Sequence, residues 1–133
     1  MISRAVYTVV LFFLYSCGKE DSRVPDVPVT YTFTEQDFSI NSRNGILLVN
    51  NKGVAGLLIY RGPNGFVVFD RCSTVNPEKR CAVTPDESGL TATDPCSGAV
   101  FLLLDGSPAK APAKFSLKQY SITRTNGGYS VIN

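Results

Sequence analysis

The side chains with the greatest chemical potential in this 133-residue sequence are four cysteines, because the sequence contains no histidine. The cysteines are Cys17, Cys72, Cys81 and Cys96. Without imidazole there is no Ser-His-Asp or Cys-His nucleophile, no histidine-ligated zinc and no histidine pH switch. The remaining chemistry of the four sulfurs is disulfide formation, thiolate–metal bonding, thiol redox reaction or covalent modification.

The charge balance excludes another class of function. Lys and Arg number 13 and Asp and Glu number 11, so the formal net charge is +2, and no basic stretch is longer than a pair. Binding to a phosphate backbone requires a concentrated positive field. We therefore expect no nucleic-acid partner.

The elements that must position the cysteines are predicted to be short strands. The segment 29–33 alternates β-branched and aromatic residues, as a half-buried strand does. Tight turns are predicted at Asn44-Gly45, at Pro63-Asn64-Gly65 and at Asn126-Gly127-Gly128. No segment after residue 28 sustains helical apolar spacing over three turns, and 35–38 is predicted to hold one helical turn at most. Eight or so short strands predict an all-β fold, a small antiparallel sandwich or barrel.

The N-terminus predicts export and a lipid anchor. Arg4 precedes an apolar run over residues 5–15, which is too short to cross a bilayer as a helix and is typical of a signal peptide. The end of the run, Leu14-Tyr15-Ser16-Cys17, resembles a bacterial lipobox, with Tyr15 as a departure. The resemblance implies a signal peptide over 1–16 and a lipid on Cys17 that binds the membrane.

The residues after Cys17 predict where the protein lies in the cell. The segment 18–21, Gly-Lys-Glu-Asp, looks like a surface-export signal, with a solvated spacer as the equal alternative. Two prolines in 22–28 predict that residues 17–28 form an extended tether. The folded domain is then 29–133, and we expect it in the bacterial cell envelope, on the outer membrane, with surface exposure if 18–21 is an export signal.

Three cysteines lie within this domain, and an exported domain is held in an oxidising compartment. One disulfide is therefore expected, with one thiol left over. The spacing contains no Cys-x-x-Cys pair, so a zinc site is a weak alternative.

The segments around these cysteines resemble a Rieske domain. The resemblance runs from about Gly53 to Val131. It rests on Phe-Asp-Arg-Cys-Ser-Thr-Val at 69–75, Asp-Pro-Cys-Ser-Gly-Ala-Val-Phe at 94–101, a proline-rich loop at 107–112 and Leu-Lys-Gln-Tyr at 117–120. The family has a Cys-x-His loop, a Cys-Pro-Cys-His-Gly-Ser loop, a proline loop and a Leu-x-x-Tyr strand. Two cysteines and two histidines of its loops hold a [2Fe–2S] cluster. The resemblance implies a small antiparallel Rieske-like domain whose two-loop subdomain spans 72–103.

The ligand set implied by the resemblance is mostly missing here. Cys72 matches the first ligand cysteine, but Thr74 and Ser97 stand where the two histidines belong, and Asp94 stands where the second ligand cysteine belongs. Hydroxyl groups are poor iron ligands at neutral pH because they would have to ionise. We therefore predict no metal and no cofactor, although [2Fe–2S] is the cofactor of the family.

The resemblance also implies a disulfide pairing. Cys81 and Cys96 stand at or near the positions of the bridge that clamps the two loops in respiratory members of the family, with about five residues inserted before Cys81. Cys72 is then a free thiol or a vestigial ligand. The alternative pairing is Cys72–Cys96.

The sequence thus predicts a lipid-anchored, non-enzymatic interaction or structural module with a protein partner and no catalytic residue. The alternative is a Rieske-type electron-transfer protein with unusual or partner-supplied ligands. A third hypothesis is redox sensing by Cys72. Partner docking through a basic face is a further hypothesis; that face would comprise Lys79, Arg80, Lys110, Lys114 and Lys118.

Overall fold

The computed structural model describes residues 23–133, which form ten β-strands and one α-helix. The strands are β1 (Thr30–Phe33), β2 (Ile46–Val49), β3 (Leu57–Gly62), β4 (Gly65–Asp70), β5 (Thr84–Pro85), β6 (Thr91–Thr93), β7 (Val100–Leu102), β8 (Pro108–Lys110), β9 (Gln119–Thr125) and β10 (Gly128–Ile132). Helix α1 (Glu35–Asn41) follows β1, and a short 3-10 helix (Pro77–Lys79) follows β4. The predicted all-β class is confirmed.

The strands form two antiparallel sheets. The larger sheet has the order β1-β10-β9-β4-β3-β2, and the smaller has the order β5-β6-β7-β8. All four strands of the smaller sheet lie in the connection between β4 and β9, which are themselves paired through Val68–Tyr120 and Phe69–Gln119. The second sheet is therefore an insertion that the larger sheet carries at the end of β4.

Two hydrophobic clusters hold the sheets together, one on each face of the larger sheet. In β3, Leu57 and Ile59 belong to the first cluster and Leu58 to the second, as expected where successive side chains point to opposite faces. In β4, Val68 and Phe69 divide in the same way. The second cluster joins Leu58 and Phe69 to Phe101 and other residues of the insertion. Burying these side chains fixes the smaller sheet against the larger one.

The turns follow the sequence prediction. Asn44 and Gly45 have φ angles of 52° and 74°, and they connect the bridged residues Arg43 and Ile46. Gly65 (φ 115°) and Gly127 (φ 92°) lie in the β3–β4 and β9–β10 hairpins. These backbone conformations favour glycine and asparagine, which explains the residue types at the turns.

Helix α1 corrects the prediction of one helical turn at most, because it extends over seven residues. Thr34 and Asp37 form a capping box: the Asp37 N–H donates to the Thr34 hydroxyl (3.1 Å), and the Thr34 N–H donates to the Asp37 carboxylate (2.9 Å). The helix buries Phe38 in the first cluster. One buried anchor and a cap support a helix too short to show apolar periodicity.

The count of ten strands exceeds the predicted eight or so. Strands β5 and β8 have only two and three residues, and β8 lies in the segment predicted as a proline-rich loop. Such short strands carry no alternating pattern of their own. They form because the neighbouring strands of the insertion offer unpaired backbone groups.

The first described residues lie against the domain. Residues 23–29 contain no helix or strand, but Val24 is buried, Asp26 pairs with Lys118, and the Val27 carbonyl accepts from the Asn133 side chain (2.7 Å). This second half of the predicted tether is thus docked on the domain. The predicted signal peptide, Cys17 and residues 18–22 lie outside the described residues. Within 23–133, no helix is long and apolar enough to span a bilayer.

Candidate functional site: the loop tip

The predicted site residues meet in two loops at one end of the molecule. The first loop, residues 71–81, follows β4 directly; the second, residues 94–98, connects β6 and β7. We call the two loops together the loop tip. The two ends of the first loop are held together by the bridge between Cys72 and Ala82 and by the Ser73 N–H, which donates to the Cys81 carbonyl (2.8 Å).

A disulfide joins the two loops. It links Cys81 to Cys96, with a Cα–Cα distance of 6.3 Å. The pairing implied by the family resemblance is therefore confirmed, and the alternative Cys72–Cys96 pairing is wrong. Cys96 is exposed and Cys81 partly so, which places the bridge at the surface of the tip.

Cys72 carries the free thiol among the described residues, and it is 0% exposed. Its sulfur contacts the carbonyls of Ser73 (3.6 Å) and Pro77 (3.5 Å), and its N–H donates to the Asp70 carboxylate (2.8 Å). Burial, followed by the negative charge of Asp70, raises the pKa of the Cys72 thiol to about 11. The sulfur is therefore protonated and screened from solvent at neutral pH.

The other three predicted positions are also engaged. The Thr74 hydroxyl donates to the Phe115 carbonyl (2.7 Å), which ties the first loop to the segment before β9. Asp94 is 0% exposed and accepts from the Ser97 hydroxyl (2.6 Å) and the Cys96 N–H (2.8 Å). These bonds fold the second loop around a carboxylate.

Asp94 is an ionised anchor. Burial by itself would raise its pKa, but hydrogen bonds from Ser97 and Ser73 and from the backbone N–H groups of Cys96 and Ser97 outweigh that effect and lower it. Since Ser73 belongs to the first loop, its interaction with Asp94 is a second, non-covalent contact between the loops.

Solved structures resemble this arrangement. Over 80% of the chain and 98% of the matched chain, it superposes on the plasma membrane Rieske protein PetC3 of the cyanobacterium Synechocystis PCC 6803 with a TM-score of 0.58 and 23% identity. It also superposes on a chain from the complex of oxygenase and ferredoxin of carbazole 1,9a-dioxygenase, with a TM-score of 0.53, 22% identity and coverages of 78% and 93%. The fold is Rieske-like.

A third structure, the ferredoxin of carbazole 1,9a-dioxygenase from Nocardioides aromaticivorans IC177, has a TM-score of 0.52 at 13% identity and coverages of 80% and 97%. Neither a protein-family model nor a curated protein matches the sequence. At these identities the likeness establishes the Rieske-like fold and leaves the function to the site itself.

The donor set of this Rieske-like domain does not fit a [2Fe–2S] cluster. A Rieske centre needs two thiolates and two imidazoles. The four corresponding positions offer one buried thiol, two alcohols and one carboxylate, at Cys72, Thr74, Ser97 and Asp94. No buried side-chain nitrogen or oxygen among residues 23–133 lacks a hydrogen-bond partner, so these groups are already satisfied within the protein.

One further set of ligand-type atoms lies at the tip. The side-chain atoms of Cys81, Asp94 and Cys96 are within 4.8 Å of one another. The two sulfurs are bonded to each other, so they supply no thiolate, and the carboxylate alone is a weak metal site.

Below the first loop lies a polar centre that the sequence did not reveal. Asp70 is 0% exposed, and its carboxylate accepts from the N–H groups of Val54 (2.7 Å), Ala55 (3.1 Å) and Cys72. The Tyr120 hydroxyl also donates to it (2.7 Å). In the sequence, Tyr120 stands out only as the last residue of the Leu-Lys-Gln-Tyr segment, which gives no sign of this hydrogen bond. The available signal was an aspartate ending the apolar run Phe66–Phe69.

Gly53 makes this centre possible. It has a φ of 64°, and a Cβ there would lie 2.4 Å from the Asp70 carboxylate and 3.0 Å from the Tyr120 hydroxyl. Burial, then the hydrogen bond to Asp70, raises the pKa of Tyr120. The centre therefore orients the start of the first loop through backbone hydrogen bonds rather than by chemistry of its own.

The residues of the predicted basic face fall into two groups, four exposed residues and one that is paired. Lys79, Arg80, Lys110 and Lys114 are exposed. Lys118 instead pairs with Asp26, and its ammonium lies 5.8 Å from the centre of the Tyr120 ring. Lys118 thus fastens the N-terminal segment.

Proposed function

We propose that this protein is a lipid-anchored, non-enzymatic envelope protein whose Rieske-like domain works without an iron–sulfur cluster and uses its loop tip as an interaction or structural surface. The observation that carries the proposal is the state of the four ligand positions. Cys72 is buried and protonated, and Thr74, Asp94 and Ser97 are committed to hydrogen bonds.

Placing iron at these positions would be costly. The Thr74 and Ser97 hydroxyls would have to ionise, and the Phe115 carbonyl and Asp94 carboxylate would lose their donors. A buried polar group left unpaired costs about 1–3 kcal/mol, and more when it is charged. Iron of a [2Fe–2S] centre also prefers thiolate and imidazole over oxygen ligands of this kind.

Anchoring rests on the sequence at residues 1–17. A positive start, a short apolar run and a cysteine directly after Ser16 support cleavage before Cys17 and lipidation of its sulfur. We include an outer-membrane location in the proposal, and the Gly-Lys-Glu-Asp segment at 18–21 supports surface exposure if it acts as an export signal rather than as a spacer.

Iron and visible absorption of the aerobically purified mature protein test the proposal. We expect colourless protein without stoichiometric iron. About two irons per chain with brown absorption would overturn it, since that is the content of one [2Fe–2S] cluster. The matched control is Cys72→Ser: iron retained by this variant is adventitious, whereas iron lost with the sulfur belongs to a site.

Electron transfer is the second candidate, and Cys72 at the first ligand position is the observation in its favour. Ligands supplied by a partner would have to reach a sulfur that is 0% exposed and enclosed by Ser73 and Pro77. The first loop would have to open to admit them. The proposal of an interaction or structural module requires no such rearrangement.

A further inference from the structure

The described chain begins beside the loop tip. The Arg23 guanidinium lies 4.6 Å from the centre of the Phe115 ring, and the Phe115 carbonyl accepts the hydrogen bond from Thr74 of the first loop. Arg23 also lines a groove with Glu78 and Arg80 of the same loop. The polypeptide therefore reaches the domain at the end that carries the two loops.

Docking of residues 23–28 leaves a short connection to the proposed lipid. Val24 is buried, and the Asp26–Lys118 pair holds the segment against the domain. Only the stretch from Cys17 to Arg23 remains between the anchor and the docked chain. Even fully extended, these six steps span at most about 20 Å, so the end of the domain next to Arg23 is held close to the lipid headgroups.

This end is also basic. We call it the basic end and define it by four cationic residues, Arg23, Lys79, Arg80 and Lys114, and one carboxylate, Glu78. Adding the charges of the connection, at Lys19, Glu20 and Asp21, leaves the region net positive.

The opposite end has a different character. Strand β9 starts at Gln119, near the loop tip, and ends at Thr125, about 20 Å away by the rise of a strand. At that far end Arg61 is paired with Glu35, and Tyr129 donates to the same carboxylate. Arg124 lies in the hairpin there and is exposed, which makes it a suitable control.

We propose that the basic end, including the first loop, rests on the membrane and contacts anionic lipid headgroups. The inference rests on the proposed lipid anchor at Cys17 and names the partner of the loop tip as a lipid surface. A short connection brings the basic end to the bilayer, and its charges are complementary to a negative surface.

The charge contact is tested separately from the anchor. The mature chain carrying Cys17→Ala is sedimented at low salt with phosphatidylcholine vesicles that contain phosphatidylglycerol. We expect Lys79→Gln to reduce the partition coefficient by about fivefold, the usual effect of one basic residue at such a surface, and Arg124→Gln to leave it unchanged. Equal effects of the two substitutions, or no binding to these vesicles, would overturn the headgroup contact.

The orientation is tested in the acylated protein. Because the sequence contains no tryptophan, Glu78→Trp introduces a single reporter on the exposed first loop. Asn126→Trp in a Glu78→Gln background places the reporter at the far hairpin with the same net charge. In proteoliposomes with spin-labelled headgroups, we expect stronger quenching at position 78 than at position 126.

The outcomes separate the two proposals. If protein recovered from membranes carries no lipid on Cys17 by mass spectrometry, the anchor and this inference both fail. If it is acylated but quenching is equal, or stronger at position 126, the anchor stands and only the inference fails. Stronger quenching at position 126 would mean that the loop tip faces away from the bilayer and is open to a protein partner.

Discussion

At the scale of single residues, the loop tip is a set of polar groups that satisfy one another. Asp94 is ionised because donors from both loops surround it, and Cys72 is protonated because no donor compensates for its burial. The surroundings of these two residues thus keep the Cys72 thiol neutral and the Asp94 carboxylate ionised.

Cys72 should be an unreactive thiol in the folded protein. The thiolate is the nucleophile, and a thiol with a pKa of about 11 is almost entirely protonated at pH 8. We expect slow labelling by iodoacetamide in native protein and rapid labelling of one additional thiol in urea, measured by mass. Fast native labelling that disappears in Cys72→Ser would instead support a redox-sensing role.

Asp94→Asn should destabilise the domain by about 1–3 kcal/mol at pH 7, because an amide replaces an acceptor of several buried donors. The folded pKa of Asp94 is lowered, so its contribution is present above the ordinary value of 3.8 and lost as the pH falls through the folded pKa. The difference between wild type and variant in urea denaturation should therefore shrink in acid. Asp105→Asn, which alters an exposed carboxylate, should cost less; a larger cost would contradict the role given to Asp94.

At the scale of elements, the two loops are held by three kinds of link. The disulfide is covalent, Ser73 of the first loop interacts with Asp94 of the second, and Thr74 ties the first loop to the segment before β9. If the domain works without a cluster, as we propose, these links are what hold the loops in place.

Replacing both Cys81 and Cys96 by serine should lower the free energy of unfolding by about 3 kcal/mol, because the bridge closes a loop of 15 residues and restricts the unfolded chain. Urea denaturation of the variant measures the loss. Wild-type protein reduced with a phosphine should show a similar decrease. No change in either experiment would mean that the hydrogen bonds alone hold the loops.

At the scale of the whole molecule, the larger sheet has a hydrophobic cluster on each face and carries an insertion whose loops form part of the tip. The stability of the domain depends on two titratable side chains at and below that tip. Tyr120 and Cys72 both have raised pKa values, so the folded chain holds protons that the unfolded chain releases in alkali.

Stability should therefore fall as the pH rises above 9. Below pH 9 the Cys72 thiol is protonated in both states; between 9 and about 11 only the unfolded chain loses its proton, which favours unfolding. We expect wild type to lose about 1 kcal/mol more than Cys72→Ala between pH 8 and 10 in urea denaturation. Equal losses would show that Cys72 does not titrate in this way, whatever the cavity in the variant costs at neutral pH.

Much of the fold was predictable from local patterns. Asn44-Gly45 and Asn126-Gly127 mark turns because few residues adopt positive φ, and alternating apolar residues mark strands. The full length of helix α1, and strands β5 and β8, were missed because each element is short and depends on a cap, a buried side chain or a neighbouring strand. Of the site, Cys72, Thr74, Asp94 and Ser97 followed from the family resemblance.

The sequence by itself determined which chemistry is absent, since no folding can supply the missing imidazoles, and it determined the Rieske-like fold through the order of its loops. Only the tertiary structure decided how the remaining groups behave. Burial leaves Cys72 a neutral thiol, and hydrogen bonding makes Asp94 an anion although it is also buried. The tertiary structure also brought Arg23 beside Phe115, a proximity between residues 92 positions apart that no local pattern encodes.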